Sequence, residues 1–304
     1  MDLSRDAAAR ILRRVDPRET LAAVRLLDRI HHSVWELACA SGARLVVKAY
    51  PADRDWQMSH ERHVLGLIGA AARVPVPRVL FADAPRSLLD RDYLVVTRIE
   101  GREIASLPDL SEADVAALYR LLGRALRGLH AIRFERFGYP TPAGIAEGAA
   151  NDVFMARRFA AQLRTFRDTG GDPETSACIE RIVEGGTWLA ARTVPVLCHN
   201  DLHEANAFAK REAQGWRLTG IVDLSGALAA DGLFDLARTL YWSARGDARK
   251  RQALLEGYDP EPGWEEPVRV YQLYHALELR NHFARHRQPE WRAAIERDLR
   301  ARVA

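Results

Sequence analysis

The amino-acid sequence predicts an α+β protein of two lobes, with a five-stranded antiparallel sheet and one helix in the first lobe and mostly helix in the second. Short strand-like runs rich in Val, Leu, Tyr and Trp occupy most of the first hundred residues, and helical periodicity dominates afterwards. The chain has 304 residues, and a single core usually divides above about 250 to 300 residues. We therefore predict lobes at residues 1–99 and 100–304.

The helices and strands of the first lobe are predicted from changes in the spacing of apolar residues and from the positions of turn-forming residues. Ser4 can cap a short helix that the Asp16-Pro17 pair ends, because the residue before proline disfavours helical backbone angles. The Ser41-Gly42 pair is suited to a tight turn between two strands, and the steps of three and four between apolar residues over 53–71 predict an amphipathic helix. The five strands are predicted at 21–27, 34–40, 45–50, 79–82 and 93–99.

The second lobe is predicted to be helical apart from two strands that carry polar ends. Helices are predicted at 111–130, 151–168, 178–191 and 268–287. Residues 138–150 are rich in Gly, Pro and Ala and are expected to form a mobile connection. The apolar runs 194–198 and 218–222 are predicted as strands that lead into the polar residues discussed below.

Composition excludes several classes of protein. Charged residues make up 28% of the chain, and no segment approaches the roughly 20 unbroken apolar residues of a membrane span, so no membrane partner is expected. The net charge is only +3 and the basic residues are spread along the chain, so no nucleic-acid partner is expected. Three scattered cysteines support neither a disulfide framework nor a cysteine-rich zinc site. The N-terminal stretch has no apolar signal region, and we expect a cytoplasmic protein.

Two carboxylates and an amide follow the two strands of the second lobe. The run 194–198 leads into a polar loop with Asp201 and Asn206, and the run 218–222 leads into Asp223. Hard oxygen ligands of this kind suit Mg²⁺, which leaves its other positions to water and phosphate. In phosphoryl transfer a carboxylate orients the attacking hydroxyl and metal ions hold the nucleotide phosphates. Asp201 fits the first role, and Asn206 and Asp223 fit the second.

A phosphate-binding cation is predicted at Lys48. Only three of the 44 basic residues are lysines, and this one lies within the apolar strand 45–50, where a charged group needs a partner or a cleft. The following helix carries Glu61, which is a candidate ion-pair partner for the ammonium group, as in protein kinases. Asp55 on the same predicted helix is the alternative partner.

In the order, types and spacing of these residues the chain resembles the aminoglycoside phosphotransferases and their choline kinase relatives. The family's His-x-Asp-x-x-x-x-Asn loop matches residues 199–206, and its strand-ending aspartate followed by a further aspartate matches Asp223 with Asp231 or Asp235. The stretch 219–247 is similar to the hygromycin-type enzymes. The resemblance implies a protein-kinase-like fold, ATP or GTP as co-substrate with Mg²⁺, and phosphoryl transfer to a hydroxyl of a small, cationic, aminoglycoside-like molecule, with antibiotic resistance as the outcome.

The resemblance also implies further contacts with the nucleotide. The first lobe is then the nucleotide-binding lobe. The family's hinge corresponds to residues 97–101, after the strand residues 93–96, and Val96 and Ile99 are expected at the nucleotide. Family members often cover the phosphates with a glycine- or serine-rich turn, whereas this chain has 29–33 there and only Ser33 as a small donor. Asn200 stands where the antibiotic kinases commonly have glycine, and this feature is closer to choline kinase.

Substrate-contacting residues are predicted from charge and from family analogy. Asp231 and Glu204 are expected to form an acidic rim that attracts a polycationic sugar. Glu278, in the late helix, is a candidate substrate contact by analogy alone. Asp235 precedes a helical run and is expected to cap the helix or support the catalytic loop.

Other functions remain open at the level of sequence. A choline- or homoserine-type metabolic kinase keeps the fold and changes the acceptor. A catalytically silent nucleotide-binding module is a second alternative, and a divalent-metal hydrolase or a zinc site at His199, Asp201 and His203 is a third. The motifs GxxxxGK[ST], GxGxxG and GxSxG are missing, which disfavours Walker-type, dinucleotide-binding and simple hydrolase functions.

Overall fold

The structure is a computed structural model, and it describes residues 2–28, 32–54, 56–71, 73–84, 86–146, 148, 150–186 and 194–303. Four predicted features therefore lie wholly or partly outside the described residues. They are the turn at 29–33, the alternative partner Asp55, the connection 138–150 at residues 147 and 149, and the end of the predicted helix 178–191. In chain order the elements are α1 (Arg5–Val15), β1 (Leu21–Asp28), β2 (Ser33–Cys39), β3 (Arg44–Ala49), α2 (Trp56–Ala71), β4 (Val79–Asp83), β5 (Tyr93–Thr97), β6 (Arg102–Glu103), α3 (Glu112–Leu129), α4 (Asn151–Asp168), α5 (Pro173–Glu184), β7 (Val196–Cys198), β8 (Ala207–Glu212), β9 (Gly215–Ile221), β10 (Leu228–Ala230), α6 (Gly232–Trp242), α7 (Ala248–Tyr258), α8 (Glu265–Arg285) and α9 (Pro289–Val303).

The chain divides into two compact units whose segments alternate along the sequence. The first unit comprises 1–108, 140–144 and 204–227, and the second comprises 109–139, 145–203 and 228–304. Residues 199–206, which we name the catalytic loop after their predicted role, contribute to both units, because the division falls between His203 and Glu204. The predicted lobes at 1–99 and 100–304 stay a prediction.

The first unit contains the predicted five-stranded antiparallel sheet, with strand order β1-β2-β3-β5-β4. Alternate residues of its strands, such as Trp35, Leu37 and Val47, turn to one face and pack with Ile11 and Leu12 of α1 in a buried core. Ser4 caps α1 as predicted, since its hydroxyl accepts a hydrogen bond from the amide of residue 7 at 3.1 Å. A second sheet of the unit has the order β6-β8-β9.

The second unit is mainly helical and contains the short antiparallel pair β7–β10. The predicted helices at 111–130, 151–168 and 268–287 are confirmed as α3, α4 and α8. The helix predicted at 178–191 begins earlier than expected, because Asp172 caps it and Pro173 occupies its first turn. Helices α7 and α9 were not predicted, since charged residues interrupt their apolar spacing. In the part of the chain that the structure describes, no helix has the length and apolar character of a membrane span.

Candidate active site

The catalytic loop begins where strand β7 ends, and a buried carboxylate anchors its backbone. Asp235, in the first turn of α6, accepts hydrogen bonds from the amides of His199 at 2.7 Å and Asn200 at 2.8 Å. Its Oδ2 atom also lies 3.2 Å from Nε2 of His130. Asn200 has a φ of +67°, a left-handed conformation that a side chain other than glycine rarely adopts. The support role predicted for Asp235 is confirmed, and Asp231 is the residue that caps the helix.

The anchoring carboxylate is held in its ionised form. Burial alone would raise the pKa of Asp235, but hydrogen bonds and the nearby imidazoles lower it below the ordinary value. The largest of these opposing effects is the hydrogen bond with His130, and the backbone amide of His199 adds to it. The ionised carboxylate can therefore accept from all three N–H donors at once.

Asp201, the predicted catalytic aspartate, is paired with an arginine that sequence reasoning missed. Nη2 and Nε of Arg238 both donate to Oδ1 of Asp201, at 2.8 and 3.1 Å. The arginine side chain is only 12% exposed, whereas that of Asp201 is 42% exposed. Asp201 is therefore held by a largely buried arginine and still reaches solvent. Its predicted action on a substrate hydroxyl requires this exposure.

In the first unit, Lys48 lies between two carboxylates. Its Nζ atom is 2.8 Å from Oε2 of Glu61 and 2.8 Å from Oδ1 of Asp223, and its side chain is 12% exposed. The ion pair predicted with Glu61 is present, and the contact with Asp223 was not predicted. Tyr50 donates a further hydrogen bond to Glu61 at 2.6 Å. Although burial opposes a charged ammonium, the two carboxylates raise the pKa of Lys48, so the lysine stays protonated.

Asn206 and Asp223 are neighbours in the first unit, as strand pairing requires. Ala207 at the start of β8 pairs with Ile221 at the end of β9, and the amide of residue 222 donates to the carbonyl of Asn206 at 2.9 Å. Asp223 has a φ of +63°, and Ser225 donates to its Oδ1 at 3.0 Å. A carboxylate and an amide on adjacent strand ends offer hard oxygen ligands, and this donor set fits Mg²⁺.

The residues predicted to contact the nucleotide base lie at and after strand β5. Val96 is buried and pairs with Val46 and Val79, and Ile99 packs against Gly220, where a Cβ atom would lie 2.6 Å from it. The hinge ends at Gly101, whose φ of +82° and approach to a backbone carbonyl exclude a side chain. Ser33 begins β2 opposite Ala49, and the preceding residues 29–31 lie outside the described part of the chain.

The prediction that Asp231 belongs to an exposed acidic rim is wrong, because its side chain is buried. This residue is 7% exposed, caps α6 through the amide of Leu233 at 3.1 Å, and accepts from the hydroxyl of Tyr271 at 2.9 Å. An aspartate ahead of a glycine and a helical run is a capping pattern, and sequence charge alone did not reveal its burial. Glu204 is partly exposed and opens a single helical turn in the first unit.

Glu278, the candidate substrate contact of the second unit, lies among basic groups. Its Oε2 atom is 3.5 Å from Nη1 of Arg238 and 3.7 Å from Nδ1 of His275. Burial would raise the pKa of this carboxyl, but the neighbouring His275 ring and the charges of Arg238 and Arg158 lower it to about 2. Arg158 lies against three aromatic rings, those of Phe154, Phe234 and Tyr274. Glu278 is therefore ionised at neutral pH.

The alternative zinc site at His199 and His203 gains no support from the geometry. Nδ1 of His199 accepts a hydrogen bond from the amide of Asp201 at 3.3 Å, so it serves the loop backbone. Among the described residues, the group of His, Cys, Asp or Glu side chains close enough to share a metal is His130, Cys198 and Asp235. The oxygens of Asp235 already accept from three N–H donors, so this group is structural.

The fold is kinase-like, and comparisons with known proteins identify the chain as a phosphotransferase. The model of the phosphotransferase enzyme family, APH, matches residues 23–271, and the chain belongs to this family. No curated protein matches the chain.

Solved structures share the fold at low sequence identity. A thermostable mutant of aminoglycoside phosphotransferase APH(4)-Ia, in ternary complex with ADP and hygromycin B, is 18% identical over 98% of each chain, with a TM-score of 0.75. A putative fructosamine-3-kinase from Thermobifida fusca is 22% identical over 99% of each chain, with a TM-score of 0.71. A putative aminoglycoside phosphotransferase from Ralstonia eutropha is 14% identical over 99% of this chain and 96% of that one, with a TM-score of 0.68. The kinase-like fold class predicted from the sequence is confirmed.

Proposed function

We propose that this protein is a small-molecule kinase that transfers the γ-phosphoryl group of ATP or GTP to a hydroxyl of an aminoglycoside-like antibiotic, in the cytoplasm, and so confers resistance. The observation that carries the proposal is the buried Lys48 held between Glu61 and Asp223 in a chain of the phosphotransferase family. A buried lysine kept protonated by two carboxylates is a preorganised phosphate-binding cation.

Each predicted residue has one role in this proposal. Lys48 binds the nucleotide phosphates, and Glu61 fixes its position. Asn206 and Asp223 would hold Mg²⁺, which when bound supplies positive charge to the phosphate oxygens. Residues 1–99 are proposed as the nucleotide-binding lobe, with Ser33, Val96 and Ile99 at the nucleotide.

Asp201 acts on the acceptor hydroxyl. Its carboxylate accepts the hydroxyl proton as the acceptor oxygen forms a bond to the γ-phosphorus, while the bond from that phosphorus to the bridging oxygen breaks and its electron pair leaves with the nucleoside diphosphate. The partial exposure of Asp201 and its firm hold by Arg238 support this role.

The aminoglycoside-like acceptor is supported by charge and by likeness in fold. A structure that shares the fold holds hygromycin B with ADP. Glu278 offers an ionised, partly exposed carboxylate suited to an ammonium group, and we propose Glu204 as a second, weaker contact. A fructosamine-type sugar amine is the second candidate acceptor, because the putative fructosamine-3-kinase covers the chain equally well.

The test is acceptor-dependent nucleotide turnover. ATP and GTP are supplied separately with Mg²⁺, and the acceptors are hygromycin B, kanamycin, streptomycin, a fructosamine, choline and homoserine. The variant Asp201→Asn removes the proposed proton acceptor, and Asp247→Asn, which changes a helix cap of α7, serves as the matched control. We expect turnover with an aminoglycoside that falls at least 10²-fold in Asp201→Asn and stays within twofold in the control.

Three results would redirect the proposal. Turnover with choline, homoserine or the fructosamine alone would assign a metabolic kinase. Nucleotide binding without transfer to any acceptor would indicate a silent module. Unchanged turnover in Asp201→Asn would remove the catalytic role of this residue.

A further inference from the structure

One face of helix α6 holds four successive residues of the catalytic loop. Asp235 accepts from the amides of His199 and Asn200, and the hydroxyl of Thr239 donates to the carbonyl of Leu202 at 2.9 Å. Between these two anchors Arg238 holds the side chain of Asp201. Positions 235, 238 and 239 lie three and four residues apart, so they share one face of the helix.

The arginine fixes a single oxygen of the aspartate. Nε and Nη2 both donate to Oδ1, and a planar fork that makes two bonds to one atom restrains both its distance and its direction. These two bonds hold Oδ1 in place and limit the positions that Oδ2, attached to the same carbon, can take. Nε2 of His203 lies 3.8 Å from this Oδ2.

The position of Arg238 is itself restrained. Its side chain is only 12% exposed, and its third nitrogen, Nη1, lies 3.5 Å from Oε2 of Glu278. A buried guanidinium between two carboxylates is held in charge balance, and the loss of one partner leaves an uncompensated charge. Burial opposes the charge, but Asp201 and Glu278 raise the pKa of Arg238, so it remains a cation.

We propose that Arg238 is the positioning residue of the phosphoryl transfer, and that it orients Oδ2 of Asp201 toward the acceptor hydroxyl by holding Oδ1. The inference rests on the proposed function, since it assigns the orientation of the group that accepts the proton. Arg238 acts through Asp201 and does not touch the reacting atoms. Because proton transfer depends on geometry, a carboxylate that is misplaced by about 1 Å loses about 10²-fold in rate.

The variants separate charge, fork geometry and side-chain bulk. Arg238→Met keeps a long, unbranched side chain and removes the charge. Arg238→Lys keeps the positive charge but replaces the planar fork of N–H donors by a single ammonium group. Arg245→Met and Arg245→Lys are the matched controls, because Arg245 is exposed and follows the same helix. Thermal unfolding of each variant verifies that it is folded, and Arg238→Lys keeps the test in force if Arg238→Met fails to fold.

The experiment measures kcat and KM with the best acceptor. In Arg238→Met we expect kcat to fall about 10²-fold, with the KM for nucleotide within twofold of that of the unsubstituted enzyme. Arg238→Lys is expected to recover part of the rate. In an Asp201→Asn background the change at position 238 should have little further effect, because the arginine acts through the carboxylate that is no longer present.

The outcomes for the two proposals differ. If Asp201→Asn abolishes turnover but Arg238→Met keeps its kcat, or loses it no more than Arg245→Met, the positioning role is refuted and the kinase stands. A raised nucleotide KM with unchanged kcat, or full additivity with Asp201→Asn, also refutes it. If the unsubstituted protein transfers no phosphate, or if Asp201→Asn is as active, the proposed function fails, and the inference fails with it.

Discussion

Replacing Asp235 by asparagine tests the anchor of the catalytic loop, which packing isolates from solvent. In the structure Oδ2 accepts from the amide of His199 and faces Nε2 of His130, and Oδ1 accepts from the amide of Asn200. An asparagine oxygen can replace Oδ2, but its NH₂ group then faces the amide of Asn200, so two donors meet. One charge-assisted bond, worth about 1.5 to 3 kcal/mol, is lost and one buried N–H is left unpaired at about 1 to 3 kcal/mol. We expect a loss of about 3 to 5 kcal/mol in the free energy of unfolding.

The assay is denaturant unfolding followed by circular dichroism, with Asp247→Asn as the control. Asp247 also accepts from two backbone amides, those of Arg249 and Lys250, but it is partly exposed. Asparagine caps helices about as well as aspartate, so the control should lose only a few tenths of a kcal/mol. Equal losses of unfolding free energy in Asp235→Asn and Asp247→Asn would show that the buried hydrogen bonds of Asp235 contribute no more than those of a partly exposed helix cap.

The loss at Asp235 should also depend on pH. The folded-state pKa of this carboxyl is lowered, and the unfolded value is about 3.9. A lowered pKa gives stability that is fully present above the unfolded value and is lost as pH falls through the folded value. The difference between the unsubstituted protein and Asp235→Asn should therefore be constant from pH 5 to 8 and shrink below about pH 4.

Five further substitutions, at four positions, give separate expectations. Gly123→Ala in α3 should prevent stable folding, because its Cβ would lie 2.2 Å from the carbonyl oxygen of Leu254 in α7. The Cβ of Gly66→Ala in α2 would meet nothing within 4 Å, and this variant should gain about 0.5 to 1 kcal/mol in the free energy of unfolding. Expression and thermal unfolding measure both effects. Glu278→Gln should lose about 2 to 3 kcal/mol at pH 7, and the loss should fade between about pH 4 and 2 as this carboxyl, whose pKa is lowered to about 2, becomes protonated in both states. A loss that persists at pH 2 would contradict the ionised state. Asn200→Ala should cost about 1 to 2 kcal/mol and Asn200→Gly less, because the residue has a φ of +67°; equal unfolding midpoints would contradict this.

The fold was largely predictable because period and turn chemistry agree with tertiary packing in the first unit. The short runs rich in Val, Leu, Tyr and Trp coincide with the strands of the five-stranded sheet. Ser41-Gly42 turns the chain between β2 and β3 as its composition requires, and the amide of Gly42 donates to the carbonyl of Cys39 at 3.0 Å. Helix α7 escaped prediction for a physical reason. It packs closely on α3 through backbone approaches at Gly123 and Gly257. The buried apolar side chains of α7 are Ala253 and Leu254, two adjacent residues that leave no helical spacing for the sequence to show.

The site was predictable where a residue type is out of place in its surroundings. Lys48 stands out as a cation in an apolar strand, and the structure gives it the partner Glu61. Arg238 was missed because arginines are frequent throughout this chain, so that one more in a helical segment does not stand out as the rare Lys48 does. Its spacing from Asp235 was the available clue, since a residue three positions after a loop anchor lies on the same helix face.

Two of the polar residues after the strands have strained backbone conformations. Asn200 and Asp223 both have positive φ values, and each follows a short strand at a residue that the site requires. Such conformations cost free energy and persist only where the surrounding contacts fix them. For Asn200 that contact is the hydrogen bond from its backbone amide to Asp235, and for Asp223 it is the pair of hydrogen bonds from Lys48 and Ser225. Each strained residue is therefore fixed, within its own unit, by contacts with charged side chains. These contacts explain why the polar residues after each strand are ordered and do not form a solvated loop.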